Sequence, residues 1–119
     1  MSRTNISAYE FATNNSIDDP VGTAIDALNN HILLKAEPEL TLLRVLNASG
    51  SPQTVTVKGS DMHIAGVPLD LAVTVAAGGT EWIGPFESLR FIQSNGNMNI
   101  DVGASMTGRI TAFTRPRDL

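Results

Sequence analysis

The feature that most limits this chain is an alternation of apolar and polar residues with a period of two, repeated in short bursts. Residues 53–58 read QTVTVK, with Val55 and Val57 on one side and Thr54 and Thr56 on the other. Residues 69–76 oppose Leu71, Val73 and Val75 to Asp70, Ala72 and Thr74. Residues 98–102 set Met98, Ile100 and Val102 against Asn99 and Asp101. Successive side chains of an extended strand point to opposite faces, so the pattern describes strands with one buried face. No stretch shows a convincing helical period, and the best candidate turn, residues 23–28, is weakened by Gly22, Thr23 and Ile25.

Turn chemistry divides the rest of the chain. Residues 22–28 and 31–35 read as strands around Asn29-Asn30, a pair that accepts positive φ. Residues 41–47 (TLLRVLN), 81–83, 88–93 (SLRFIQ) and 108–114 complete the set, with a hairpin signal at Ser94-Asn95-Gly96-Asn97. A chain of 119 residues built this way is expected to form one all-β domain, an antiparallel β-sandwich. A jelly-roll-like sandwich is the first reading. An immunoglobulin-like sandwich is the alternative, although the Cys and Trp spacing of that fold is missing.

Residues 1–20 differ from the remainder. They are polar and Asn-rich, and Ile6, Tyr9 and Phe11 are their sizeable apolar anchors before Ile17. A frayed terminus is one reading. The spaced aromatics favour the other, an extended arm lying on its own sandwich or on a neighbouring chain. The expected division is an arm at 1–20 and a sandwich at 21–117, with Arg3, Ile6, Tyr9 and Phe11 as partner contacts of the arm.

The single tryptophan lies in GGTEWIGPF, between paired glycines and a Gly-Pro-Phe corner. Pro85 cannot donate to a strand ladder and belongs at an edge or at a crossing between sheets. Trp82 and Phe86 flank that crossing and are expected to plug the open end of the sandwich. The competing readings of Trp82 are an exposed platform for a ligand and a contact with another subunit.

Chemistry is sparse. Cysteine is absent, which removes disulfides, thiolate metal sites and a cysteine nucleophile. His31 and His63 have no second histidine at ligand spacing, and Asp61 with His63 makes a weak metal pair at best. Asp18-Asp19 stops at Pro20, too short for a calcium loop. No nucleophile elbow, Walker motif or dinucleotide glycine pattern is present. The expectation is therefore no enzyme, no cofactor and no metal.

The formal net charge of −4 argues against a nucleic-acid binder. No window is long and apolar enough for a signal peptide core or a membrane span, so a protein made in a cytoplasm without an anchor is expected. Charged residues form only 17% of the chain, which points to a surface that partly faces other protein. Arginine outnumbers lysine six to two, and Arg115-Pro116-Arg117 closes the chain as a compact basic end. That end reads either as a solvated tail or as a contact, through Arg115 and Arg117, with an acidic neighbour.

Residues 73–86 (VTVAAGGTEWIGPF) and 108–117 (GRITAFTRPR) resemble small β-sandwich proteins encoded among the virion structural genes of tailed bacteriophages, especially those of actinobacteria. The likeness extends loosely over residues 20–117. It implies a virion structural protein, in the first place a capsid decoration or cement protein. Such a protein binds the major capsid protein outside its lattice, often as a trimer, with an arm reaching the shell. A head–tail connector, tail or fibre component is an alternative within that class. A carbohydrate-binding sandwich is an alternative outside it, and that reading requires an exposed Trp82.

Overall fold

A computed structural model describes residues 2–12, 14–60 and 70–115. It is an all-β sandwich of two packed sheets. The strands are β1 (Thr4–Asn5), β2 (Ala8–Glu10), β3 (Thr23–Ala24), β4 (His31–Leu33), β5 (Thr41–Asn47), β6 (Gln53–Val57), β7 (Leu71–Val75), β8 (Thr80–Ile83), β9 (Met98–Val102) and β10 (Gly108–Thr114). Sheet 1 has the order β1-β4-β9-β6-β7. Sheet 2 has the order β2-β10-β5-β8, and β3 also pairs with β10.

From β4 to β10, only the β6–β7 connection joins neighbours within one sheet; the others cross the sandwich. Such crossing is the wiring habit of the jelly-roll-like class. The body is antiparallel throughout, and both parallel pairings, β1 with β4 and β2 with β10, are made by the N-terminal arm.

The period-two pattern sets the core. Val55 and Val57 of β6, Val75 of β7, and Met98 and Ile100 of β9 point inward from sheet 1. Leu43 and Val45 of β5, Ile83 of β8, and Ile110 and Ala112 of β10 meet them from sheet 2. Asn47 is buried at the end of β5 and is fully used. Its amide donates to Ser51 O (2.9 Å) and Val75 O (3.0 Å), and its Oδ1 accepts from the Ser49 backbone N–H (3.0 Å).

Two segments depart from the strands expected. Residues 22–28 keep only the two-residue strand β3 before the turn at 27–29, where Asn30 takes a φ of 62°. Residues 88–93 form no strand; Ser88–Phe91 is a single α-helical turn, α1. That stretch carries the chain from the edge strand β8 to β9 inside the other sheet, where no ladder is open to it. A helical turn meets its backbone needs locally, with Ile92 N–H donating to Ser88 O at 2.9 Å.

The arm lies on its own sandwich, where β1 joins sheet 1 and β2 joins sheet 2. Thr4 and Ile6 N–H groups donate to Asn30 O and Ile32 O along β4 (2.9 Å each). The chain then crosses, and Phe11 N–H donates to Thr114 O (2.8 Å) along β10. At the crossing Ile6 is 1% exposed and belongs to the core. The outer edge of β10 is thereby shared: β2 covers residues 112–114 and β3 covers 109–110. Ser7 N–H donates to Thr23 Oγ1 (2.8 Å) where the two meet.

Candidate functional site

The register of sheet 2 puts one set of residues on its outer face. Arg44 of β5 lies opposite Trp82 of β8 and opposite Thr111 of β10. Phe113 lies opposite Leu42 and, across the other edge, opposite Tyr9. Phe113 is buried although it faces outward, because aromatic rings surround it. Its centroid is 5.4 Å from Trp82, 5.7 Å from Phe11 and 6.1 Å from Tyr9. The Arg44 guanidinium carbon sits 5.4 Å from the Phe113 ring and 5.9 Å from the Trp82 ring, within cation–π range. The result is an aromatic patch on the face that points away from the core.

Arg44 is fixed by what lies over it. Its guanidinium pairs with Asp19 and donates to Pro20 O (2.6 Å). Gly22 lets that segment lie flat on the sheet. Its φ is +89°, and a Cβ there would collide with the Thr111 hydroxyl.

The expected plug is corrected in part. Trp82 does not close the end of the sandwich: it is 56% exposed on the outer face. Its neighbour Ile83 takes the inward position of β8, and adjacent strand residues cannot share a face. Phe86 does close the end. It is buried, meets Phe91 edge-on at 5.5 Å and anchors the chain through its N–H to Pro38 O (3.0 Å). Gly84 (φ +117°) admits it, since a Cβ there would stand 2.8 Å from the Phe86 ring and 2.6 Å from Thr41 O. Pro85 sits exposed at the crossing after edge strand β8.

The contacts assigned to the arm divide. Tyr9 (36% exposed) and Phe11 (38%) stand on the aromatic patch. Ile6 cannot serve as a partner contact, because it is inside this chain's own core. Arg3 is likewise engaged within the chain, donating to Asp101 Oδ1 (2.6 Å) and His31 O (3.1 Å). Arg115 is exposed beyond β10, and its backbone N–H donates to Leu40 O (3.0 Å). Arg117, Asp61 and His63 lie outside the described residues. Arg44 and Phe113 were not singled out as site residues. The legible signal was the parity of β5 and β10, which places both opposite the face of Val45 and Ile110.

His31 fastens the arm from the other side. The ring is buried, with Asp26 N–H donating to Nε2 (2.9 Å) and Nδ1 lying 3.1 Å from Thr4 O. This arrangement suits the neutral ring with its proton on Nδ1. Burial holds the His31 pKa below its ordinary 6.5, opposed by Thr4 O and the Asp26 charge and reinforced by Arg3. The other charges near this corner are Asp101, paired with Arg3, and Lys58, 3.9 Å from Asp101. Asp26 is itself pulled down to about 2, first by the Thr4 hydroxyl and then by Asn29.

Both shifts have the same sign, so both contributions are present at neutral pH. The His31 contribution is lost as pH falls below 6.5 through its depressed folded pKa, and the Asp26 contribution as pH falls from 3.8 toward 2. Denaturant unfolding should therefore show stability falling below pH 6.5, well above the range where Asp26 titrates. His31→Gln should remove that first decline; an unchanged pH profile in the variant would disprove the assignment.

Among the described residues, no three or more His, Asp or Glu side chains converge as a metal site would, and no helix is long and apolar enough to cross a membrane. No protein-family model matches the chain, and no curated protein or solved structure matches it.

Proposed function

We propose that this protein is a non-enzymatic assembly protein of a tailed-bacteriophage virion, a decoration protein that docks on the major capsid protein from outside. In this reading the outer face of sheet 2 is the docking surface. The observation that carries it is the exposed Trp82, held in place by Phe113 and Arg44, with Tyr9 and Phe11 also against Phe113. Binding energy in protein interfaces concentrates in Trp, Tyr and Arg anchors that are rigid before the partner arrives. The virion assignment itself rests on the sequence resemblance. The same face would serve a connector, tail or fibre component, and a trimer is the assembly that the resemblance favours.

Trp82→Ala separates docking from folding. With half of the ring already in water, the substitution should lower stability by only about 2 kcal/mol. It should nevertheless abolish co-sedimentation with phage shells. Loss of folding in the variant would return Trp82 to a structural role.

The exposure of Trp82 also meets the condition of the second reading, a carbohydrate-binding sandwich. Tryptophan fluorescence under titration with oligosaccharides decides between them. Decoration predicts no saturable change, and a saturable change lost in Trp82→Ala would favour the glycan reading.

A further inference from the structure

A cleft on the same outer face gives the docking partner a chemical identity. It measures about 390 Å³ and is lined by Asp19, Val21, Arg44, Leu46, Thr80 and Arg109. Arg109 lies opposite Leu46, Leu46 lies opposite Thr80, and Arg44 is two residues back along β5. The two arginines are therefore diagonal neighbours on one surface.

Their states differ. Arg44 is mostly covered and already holds Asp19, whose own side chain is 83% exposed. Arg109 is exposed and has no ion pair among the described residues. Two cations against one carboxylate make the cleft locally positive on a chain of net charge −4. A guanidinium offers paired N–H donors that match a carboxylate. Val21 and Leu46 supply apolar walls beside it.

Resting on the docking reading above, we infer that the cleft receives an acidic side chain of the partner protein, its carboxylate on Arg109 and an adjacent aliphatic side chain against Val21 and Leu46. Asp19 on Arg44 is the intramolecular counterpart of that contact. Charge complementarity selects an acidic protein segment over a basic or purely apolar one.

The test uses the full chain, labelled with ¹⁵N, and the peptide acetyl-Gly-Leu-Glu-Leu-Gly-amide against its glutamine counterpart. The glutamate peptide should shift the Arg109 side-chain N–H signal and the backbone signals of Leu46 and Arg109. The glutamine peptide should bind about tenfold more weakly, and Arg109→Gln should lose the same factor. Lys35→Gln removes an equal charge from an exposed turn elsewhere and should stay within about twofold of the parent.

Equal binding of the two peptides overturns the inference. So do equal losses in Arg109→Gln and Lys35→Gln, which would mean diffuse attraction. Absence of any Arg109 shift up to about 10 mM peptide does the same. Its failure is distinct from failure of the docking reading: loss of shell binding in Trp82→Ala but not in Arg109→Gln retains the face and rejects the acidic contact.

Discussion

A chain lacking residues 2–11 will give no cooperative unfolding transition. The deletion removes Ile6 from the core, both parallel ladders, and the Arg3–Asp101 pair, and it uncovers Phe113. Truncating a buried isoleucine to alanine alone costs about 2–5 kcal/mol. A small domain has about 5–15 kcal/mol in total, so the combined loss exceeds what the fold can absorb. Ile6→Ala is the graded version and should fold with that smaller loss. Chemical denaturation followed by circular dichroism measures both. A cooperative transition in the deleted chain, close to that of the parent, would show that the arm is separable after all.

The second large effect is at the corner. Phe86→Ala should cost about 3–5 kcal/mol, because a well-packed ring is removed where Phe91, Gly84 and Pro38 leave nothing to fill the void. Trp82→Ala, four residues away, should cost a fraction of that. The contrast is the informative quantity, since the larger aromatic is expected to matter less for stability. Equal losses in the two variants, measured by the same denaturant titration, would mean that Trp82 helps to close the sandwich.

These two results mark where the sequence was legible. Strands β6, β7 and β9 could be read with their inward faces because each alternates cleanly, and the crossing at Pro85 could be read because proline cannot join a ladder. The position of Trp82 was readable in principle. Trp82 and Ile83 are consecutive in one strand, only one of them can face the core, and the register with Arg44 and Leu43 decides which. The path of the arm was not readable. Tyr9 pairs with Phe113 in parallel, across nearly the whole length of the chain, and such a pairing leaves no local pattern in either segment. The same holds for His31, whose partners Thr4 and Asp26 become neighbours only when the arm is in place. Residues 88–91 misled because LRF fits a strand, whereas the sheet position such a strand would need does not exist.

The proposed docking face arises from the same arrangement. The arm brings Tyr9 and Phe11 to Phe113, and the segment after it lays Asp19 and Pro20 over Arg44. Folding thus places rigid aromatic and cationic groups on one surface while the core is closed by aliphatic residues and Phe86. The proposed role is tested most directly by co-sedimentation of the purified protein with tailed-phage shells. The parent should pellet with the shells at a fixed ratio while Trp82→Ala, still folded, stays in the supernatant. Equal pelleting of the two, or a parent that remains in solution at every shell concentration, would contradict it.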